Sequence, residues 1–296
     1  MAQIAIVGAG AVGGYVGARL ALSGHSVTLI GRDALVQAVT ANGMRLDMDG
    51  QTLRAPIATA TTNPAAVAGC DWVLIAVKSG DTETAARAIA PHLTPDTAVL
   101  SLQNGISNLP TLSRILPRPA LPALVYVAVS QIAPGHVQHK GGGRIVVGAG
   151  PGAKAAVHLF TDAGIEADLS DQAETALWTK LTINCALNAV SALTGQPYGK
   201  IIAQPGAEVT LRAITAECQA VAQASGITLP ADIADQALAL TRSMPDQLSS
   251  TAQDLAAGKP TEIAFINGEI ARRGAALGIR TSLNLALATL VALRES

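Results

Sequence analysis

Three glycines near the start of the chain, Gly8, Gly10 and Gly13, have the spacing G-x-G-x-x-G. They directly follow the apolar run Gln3–Val7, which is typical of a buried strand, and they precede residues 14–23, which have a helical pattern. Glycines at this spacing allow a tight turn, close approach of the backbone to a pyrophosphate, and close packing of helix on strand. The helix N-terminus then offers free N–H groups to the phosphates. We therefore predict a βαβ unit that binds a dinucleotide, with a ligand-free turn as the alternative.

The end of the second predicted strand, Ser26–Ile30, indicates which dinucleotide is bound. An NAD-binding protein usually places an acidic residue here to hold the ribose 2′-hydroxyl, whereas this chain has Gly31 followed by Arg32. A guanidinium suits a 2′-phosphate, so we expect NADPH. Asp33 follows directly, and a carboxylate aimed at the ribose would weaken that preference.

Two further buried strands, at residues 71–77 and 98–102, end in polar residues. Ligands of open α/β sheets lie at the carboxyl ends of the strands, and Lys78 and Asn104 fall at those ends. Lys78 could reach a phosphate or a substrate carboxylate, and Asn104 could bond the cofactor or the substrate. A simple Asn104-Gly105 turn is the alternative.

A hairpin is predicted where residues 136–139 and 144–148 flank the glycines at 141–143, which would form its tip. We interpret His136 and His139 as ordinary surface residues of that hairpin. A last helix near 154–163 and a short strand near 165–169 complete the first predicted domain.

Strand patterns largely cease after residue 170, and helical segments punctuated by glycine and proline follow. They lie at about 172–193, 205–224, 231–243, 250–257, 261–277 and 282–294. The predicted fold is thus a Rossmann-type α/β dinucleotide-binding domain, residues 1–169, followed by an all-α domain, residues 170–296.

The first of these helices carries Lys180, Asn184 and Asn188 at steps of four residues in an otherwise apolar run. Steps of four drift by only about 40° around a helix, so these side chains share one face, in a stripe about 12 Å long. Buried polar groups need partners, and lysine is seldom buried without a task. The stripe predicts a site for a small polar ligand, with a solvated helix face as the alternative.

Two more polar clusters follow in the helical domain. Ser249 or Ser250 could cap a helix, with Gln253 reaching back, or one hydroxyl could face a ligand. Glu262 lies where a helix is expected to begin. Its carboxylate either interacts favourably with the helix dipole or belongs to a ligand site.

Composition excludes several classes of function. A net charge of −1 gives no reason to expect binding to nucleic acid or to an anionic membrane, and only seven aromatic residues are present to stack on bases. No uninterrupted apolar run reaches the roughly 18 residues of a membrane span. Three widely separated cysteines, none at metal-site spacing, fit reduced thiols in the cytoplasm, and we expect no bound metal.

Several motifs occur together along nearly the whole chain: Gly8 to Gly13 with Gly31-Arg32, Val77-Lys78-Ser79, Gln103-Asn104-Gly105, Lys180-Leu-Thr-Ile-Asn184-Cys-Ala-Leu-Asn188, Ser249-Ser250 through Gln253-Asp254, Thr261-Glu262-Ile263 and Ile266-Asn267-Gly268. Together they resemble the ketopantoate reductase family, that is, 2-dehydropantoate 2-reductase and its close relatives. The resemblance implies that hydride from NADPH reduces a 2-keto acid to a 2-hydroxy acid, with ketopantoate giving pantoate for pantothenate synthesis as the main expectation.

By this resemblance, Lys180 matches the family's catalytic lysine, which donates a proton to the developing alkoxide, and Glu262 matches the acid that holds the substrate's polar end. The chemistry is sound independently, because hydride arriving at a carbonyl carbon builds negative charge on the oxygen, which an ammonium stabilises and protonates. Desolvation would lower the pKa of the lysine, and a nearby Glu262 would oppose that shift.

The binding residues are also carried over from the resemblance. Asn184, Asn188 and Ser250 match substrate-binding positions. Lys78 and Asn104 match positions at the junction of cofactor and catalytic groups, so Asn104 is expected to contact both ligands.

One departure limits the substrate assignment. The pantoate-forming members carry an asparagine in the Pro-x-Gly turn after the lysine helix, where this chain has Tyr198. A phenol there would alter the size and polarity of the pocket, so a reductase or dehydrogenase of another 2-keto or 2-hydroxy acid is an alternative. A β-hydroxyacid or opine-type dehydrogenase and a non-catalytic NADPH-binding regulator are further alternatives. An alanine-rich helical domain could also form a homodimer, which composition alone does not decide.

Overall fold

The computed structural model describes residues 1–295, and the chain divides into two compact units. The first unit contains residues 1–104 and 108–173. The second contains residues 105–107 and the chain from Glu174 onward. The helical pattern that begins near residue 172 therefore coincides with a change of unit in the structure.

The first unit alternates strands and helices. Its elements are β1 (Gln3–Val7), α1 (Ala11–Leu22), β2 (Ser26–Ile30), α2 (Asp33–Asn42), β3 (Met44–Met48), β4 (Gln51–Ala55), β5 (Thr59–Thr61), β6 (Trp72–Ile75), α3 (Thr82–Ile89), β7 (Ala98–Ser101), α4 (Asn108–Ile115), β8 (Leu121–Ala133), β9 (His136–Gly148), α5 (Ala153–Asp162) and β10 (Ala167–Ser170).

Six strands form a parallel sheet in the order β8-β7-β6-β1-β2-β5. The chain starts at β1 in the middle, proceeds to one edge through β2 and β5, and returns through β6 to the other side. This is the Rossmann strand order, in which ligands bind where the order reverses, here between β1 and β6. The predicted fold class is confirmed.

The central strands β1, β6 and β7 of the parallel sheet are largely buried, as expected when helices cover both faces of a parallel sheet. Ile4 and Ile6 of β1 lie in one apolar cluster with Tyr15 and Leu20 of α1. Val73 and the alternate residues of β1 and β6 lie in a second cluster on the other face, against α3 and α4. The two clusters fix the sheet between its helices.

The predicted hairpin with a tip at Gly141–Gly143 is wrong. Residues 136–148 form one long strand, β9, which pairs antiparallel with β8, and the turn lies at Gly135, where φ is +68°. The glycines instead accompany shifts of register between β8 and β9. A Cβ on Gly142 would lie 2.7 Å from the Tyr126 carbonyl oxygen, so glycine is required at this irregularity.

His136 and His139 are not ordinary surface residues either. Nε2 of His136 lies 2.8 Å from Oδ2 of Asp47 on the neighbouring strand β3. The ring of His139 stacks on Tyr15 with 5.2 Å between ring centroids. The pairing of β9 with β3 gives His136 its partner, and the contact of β9 with α1 gives His139 its partner; periodicity reveals neither.

The second unit is helical. Its elements are α6 (Ala173–Thr194), α7 (Tyr198–Ile202), α8 (Ala207–Ala224), α9 (Ile233–Ser243), α10 (Ser250–Ala256), a 3-10 turn (Ile263–Phe265), α11 (Asn267–Leu277) and α12 (Ser282–Glu295). Among residues 1–295, no helix combines the length and apolar character that a bilayer crossing requires.

The single helix expected over residues 261–277 is interrupted. Glu262 precedes the 3-10 turn, and Ile266, with φ −109° and ψ −99°, separates that turn from α11. Ile263 and Ile266 are both buried. The apolar spacing that suggested one continuous helix therefore reflects burial of Ile263 before a bend and of Ile266 at the bend itself.

We predict that Gly8→Ala lowers the free energy of unfolding by about 1–3 kcal/mol more than Gly24→Ala. Both glycines have positive φ, +94° and +91°, so both substitutions carry backbone strain. Only at Gly8 would the new Cβ meet other atoms, with the Val77 backbone nitrogen at 2.5 Å.

Denaturant titration of both variants measures this difference, and Gly24→Ala serves as the matched control. Equal losses of stability would contradict the close approach of the Gly8 turn to the strand end at Val77.

Candidate active site

The glycine turn follows β1, and its geometry fits a dinucleotide. The Gly8 N–H donates to the Ile30 carbonyl at 2.9 Å, which fixes the turn against β2. A Cβ on Gly13 would lie 2.3 Å from the Gly8 carbonyl oxygen, so α1 packs tightly on the turn. No atom lies within 4 Å of a Cβ built on Gly10, and no side chain caps α1 there. The first turn of α1 thus faces open space, as a bound pyrophosphate requires.

Arg32 lies at the end of β2, where its side chain is exposed and pairs with Asp81. The guanidinium Nη2 is 3.3 Å from the Asp81 carboxylate, and the two side chains are 90% and 54% exposed. An ion pair this exposed contributes little to stability. The guanidinium is therefore available to a 2′-phosphate, for which the Asp81 carboxylate would compete.

Lys78 and Asn104 lie at the ends of β6 and β7, and the parallel register of these strands with β1 brings all three ends to one edge of the sheet. Both residues are half-buried. Gly105, directly after Asn104, has φ +86°, so the turn considered as the alternative is present. A turn here does not conflict with a binding role, because it sets the position of the Asn104 side chain.

A buried hydrogen-bond network joins the turns that carry Lys78 and Asn104. Gln103 donates from Nε2 to the Val77 carbonyl at 3.0 Å and to Oγ1 of Thr82 at 2.7 Å. Thr82 donates in turn to Oδ1 of Asn108 at 2.8 Å, and Asn108 donates to Oγ of Ser79 at 3.1 Å. These side chains are all buried.

Sequence analysis missed this network, although it holds the two predicted ligand-binding residues in place. Gln103 was noted only as the neighbour of Asn104. The one available signal was a cluster of polar residues, Ser79, Thr82 and Asn108, close to strand ends in an otherwise apolar domain. Their pairing depends on the neighbouring positions of β6 and β7, which spacing along the chain does not give.

In the helical unit, Lys180, Asn184 and Asn188 lie on one continuous 22-residue helix, α6. Lys180 and Asn184 are half-buried, and Asn188 is buried. The flanking residues Leu181 and Leu187 are both 1% exposed. The burial of Asn188 and the partial burial of Lys180 and Asn184 argue against the alternative of a fully solvated helix face.

The ammonium of Lys180 lies in a poorly solvated environment close to Glu262. Burial lowers the pKa of Lys180 from 10.5 to about 8, and the negative charge of Glu262 acts in the opposite direction. An amine with a pKa near neutrality is suited to proton transfer, because it is charged at neutral pH and still releases its proton readily.

The alternative role of Glu262, a favourable interaction with a helix dipole, requires it to lie in the first turn of an α-helix. Glu262 does not lie there. It precedes the three-residue 3-10 turn, and its neighbours hold it on both sides. The Thr261 N–H donates to Oε1 of Glu295 at 3.0 Å, and the Thr261 hydroxyl donates to the same oxygen. Ile263 packs in an apolar cluster with Ala189 of α6. The burial of Ile263 against α6 therefore brings Glu262 to the helix that carries Lys180.

The N-terminus of α10 packs on the same helix. Ser249 caps α10, because its Oγ accepts from the Ala252 N–H at 3.0 Å, and it donates to the Asn188 carbonyl at 3.1 Å. Gln253 reaches back to the Leu248 carbonyl at 2.9 Å. Ser250 is exposed. The capping role thus belongs to Ser249, and the Ser250 hydroxyl lies next to it at the surface.

Tyr198 is buried at the start of α7, and burial raises the pKa of its phenol to about 12. A cavity of about 580 Å³ opens elsewhere in the helical unit, between α6, α7 and α8. Val190, Lys200 and Leu211 contribute to its lining, but Lys180, Asn184 and Asn188 do not. This cavity is therefore separate from the polar stripe of α6.

The sequence matches a known family over nearly its entire length. Residues 4–152 match the family described as "Ketopantoate reductase PanE/ApbA", and residues 172–295 match its "C terminal" counterpart. The chain belongs to the ketopantoate reductase family. The family predicted from the glycine turn, the lysine helix and the Glu262 segment is thus confirmed.

Individual members of the family are similar over the full chain. A 2-dehydropantoate 2-reductase from Caulobacter vibrioides is 34% identical over 294 residues, with 98% of each chain covered. The crystal structure of a PanE/ApbA family ketopantoate reductase from Ralstonia eutropha JMP134 has a TM-score of 0.95 and 45% identity, covering 99% of this chain and 98% of that one.

Another similar solved structure is that of an enzyme named for a different substrate. D-mandelate dehydrogenase, in a ternary structure with NADH and anilino(oxo)acetate, has a TM-score of 0.90 and 25% identity, with 99% of this chain and 98% of that chain covered. Proteins of this one fold are therefore named for more than one substrate.

We predict that Glu262→Gln moves the pKa of Lys180 below its value of about 8. The carboxylate raises that pKa, and the amide keeps the shape of the side chain while it removes the charge. Acetylation of Lys180 as a function of pH, followed by peptide mass spectrometry, measures the pKa without a turnover assay.

Glu208→Gln is the control, because Glu208 pairs with Arg212 on the exposed face of α8. An unchanged pKa of Lys180 in Glu262→Gln would show that the two groups do not interact.

Proposed function

We propose that this protein is an NADPH-dependent reductase that converts a 2-keto acid to a 2-hydroxy acid, with 2-dehydropantoate and pantoate as its substrate and product. The observation that carries the proposal is the ammonium of Lys180, with its pKa lowered by burial and opposed by Glu262, on a helix with two amides in register. Full-length similarity to 2-dehydropantoate 2-reductases supports the same reaction.

The glycine turn of the first unit is proposed to hold the cofactor. Gly8, Gly10 and Gly13 admit the pyrophosphate to the N-terminus of α1, and Arg32 binds the 2′-phosphate. Lys78 and Asn104, at neighbouring strand ends, complete the cofactor site. When bound, NADPH supplies a hydride to the carbonyl carbon of the keto acid.

Lys180 is proposed to donate the proton. As the carbonyl carbon is reduced, its oxygen gains negative charge, and the ammonium stabilises that charge before it transfers its proton to give the hydroxyl. The pKa of Lys180 lies near 8, so transfer costs less than it would from an ordinary lysine. Glu262 keeps the amine protonated at neutral pH and orients the polar end of the substrate.

Asn184, Asn188 and Ser250 are proposed to orient the substrate together with Asn104. The side-chain amides of Asn184 and Asn188 offer both donors and acceptors at spacings of one helical turn, which suits a carboxylate and a hydroxyl on one small molecule. Ser250 lies at the first position of α10, beside the cap that bonds the Asn188 carbonyl.

A second candidate is reduction of a bulkier 2-keto acid. Tyr198 departs from the pantoate-forming pattern, and the similarity to D-mandelate dehydrogenase supports an aromatic substrate class. The two candidates share one mechanism and differ only in the side chain of the acid.

We also propose domains at residues 1–169 and 170–296, a cytoplasmic location and a homodimer. The homodimer is supported by α12, which exposes Leu283, Leu285 and Leu290 and has no charged residue over positions 282–293. Light scattering of the purified chain measures its oligomeric state.

We expect Lys180→Ala to lower kcat by about 10²- to 10⁴-fold while NADPH binding persists, because the variant loses only the proton donor. Turnover of the wild-type chain is expected to decline as the pH rises above about 8, where Lys180 loses its proton.

A panel of 2-keto acids with NADPH identifies the substrate. Much faster turnover of an aromatic keto acid than of 2-dehydropantoate would favour the second candidate. Near-normal turnover by Lys180→Ala would place the proton transfer elsewhere.

We expect Arg32→Ala to weaken NADPH binding much more than NADH binding, and Asp81→Asn to strengthen NADPH binding. The first change removes the guanidinium that is proposed to bind the 2′-phosphate. The second frees that guanidinium from its ion pair and removes the Asp81 negative charge, which would repel the phosphate. Fluorescence titration with both reduced cofactors measures the ratio.

Asp235→Asn is the matched control, since it breaks another exposed aspartate–arginine pair, with Arg212, in the helical unit. Equal or tighter binding of NADH by the wild-type chain would contradict the assignment of NADPH.

A further inference from the structure

Asn267 is fully buried and joins two helices through its side chain. It is the first residue of α11, and its Nδ2 donates to the carbonyl oxygen of Cys185 on α6 at 2.9 Å. The same nitrogen donates to Oδ1 of Asn284 on α12, also at 2.9 Å. Both neighbours are acceptors, so the orientation of the amide is determined. Cys185 directly follows Asn184 in the polar stripe.

Asn284 is held as firmly as Asn267. It is fully buried, its Nδ2 donates to Oε2 of Glu217 at 2.8 Å, and its backbone N–H donates to the same oxygen at 2.9 Å. Glu217 lies on α8, so the pair of asparagines links α6, α11, α12 and α8. A hydrogen bond between two buried amides is costly to break. The group that loses its partner is buried and cannot bond to water instead.

The position of Asn267 in the chain connects this link to Glu262. Ile266, immediately before it, has the backbone angles that end the 3-10 turn and start α11 in a new direction. Glu262 stands four residues before this bend, and only the short turn separates them. Fixing Asn267 on the Cys185 carbonyl therefore fixes where the Glu262 segment lies along α6.

A second contact between the same helices supports that alignment. The guanidinium of Arg273 on α11 lies over the ring of Trp178 on α6, with 5.3 Å from its central carbon to the ring centroid. Arg272 and Arg273 both pair with the buried carboxylate of Glu269, each at 2.7 Å. Arg272 and Arg273 thus share the Glu269 carboxylate, and Glu262 is the charge that raises the pKa of Lys180.

We propose that Asn267 is a positioning residue that sets Glu262 against Lys180 by anchoring the start of α11 to the Cys185 carbonyl, with Asn284 as its support. Asn267 touches neither reacting atoms nor substrate in this role. It acts through the register of the acid-bearing segment on the lysine helix. This inference rests on the proposed function for its meaning, but the alignment that it describes can be measured without turnover.

The test compares Asn267→Ala with the wild-type chain. Without the anchor, the Glu262 segment shifts along α6, its charge acts less strongly on Lys180, and the pKa of Lys180 falls. Acetylation of Lys180 as a function of pH measures that pKa. In the assay with a 2-keto acid, kcat is expected to fall by about 10- to 100-fold, as displacement of a catalytic group by about 1 Å can cause. The loss is expected to be larger at high pH, because Lys180 loses its proton earlier.

Thr241→Val is the matched control. Thr241 is also fully buried in the helical unit, and its hydroxyl donates only locally, to the Leu238 carbonyl at 2.7 Å. A general loss of stability would lower activity equally at all pH values and leave the pKa of Lys180 unchanged, as expected for this control.

Asn284→Ala keeps Asn267 and its bond to the Cys185 carbonyl but removes the bonds of Asn284 to Asn267 and to Glu217, so it provides a second variant if Asn267→Ala does not fold. An unchanged pKa of Lys180 in every folded variant of this pair would overturn the proposal. A lowered pKa together with a wild-type chain that reduces no 2-keto acid would sustain the positioning role and refute the proposed function instead.

Discussion

The interaction between the ammonium of Lys180 and the carboxylate of Glu262 is the one on which the helical unit depends. A charged amine among apolar residues loses hydration, and the protein recovers part of that free energy only where another charge is held nearby. Glu262 is that charge, and it belongs to a segment far away in the chain. Much of the surrounding architecture, from the Thr261 bonds to Glu295 to the burial of Ile263, serves to hold this acid beside α6.

The cofactor turn follows a different physical logic. In the proposed cofactor site, the ligand contacts would come from backbone N–H groups and a helix terminus, so the side chains mainly need to be absent. Gly13 admits close packing of α1, and Gly10 leaves open space above the turn. Glycines that backbone geometry requires leave a recognisable spacing, which is why the βαβ unit of the first thirty residues was predicted correctly.

The same contrast explains what sequence reasoning did not find. Lys180, Asn184 and Asn188 lie on one helix, so their spacing alone aligned them. Gln103 and Asn108 are both hydrogen-bonded to Thr82, and Asn267 is bonded to Cys185 across 82 positions of the chain. No local period encodes such contacts. The bend at Ile266 and the long strand β9 were misjudged for a related reason, because burial and pairing with distant strands overrode the local pattern.

The pKa of Lys180 shows how the two opposing effects fit one task. An ammonium at its ordinary pKa of 10.5 would hold its proton too strongly to be a good donor at neutral pH. Burial alone, carried further, would remove the proton before the substrate's oxygen could accept it. Burial opposed by Glu262 leaves the pKa near 8, where the amine is charged at neutral pH and yet a competent acid. In the proposed reaction, that balance depends on the placement of one carboxylate, and the hydrogen bonds that position its segment then serve the chemistry as well as the fold.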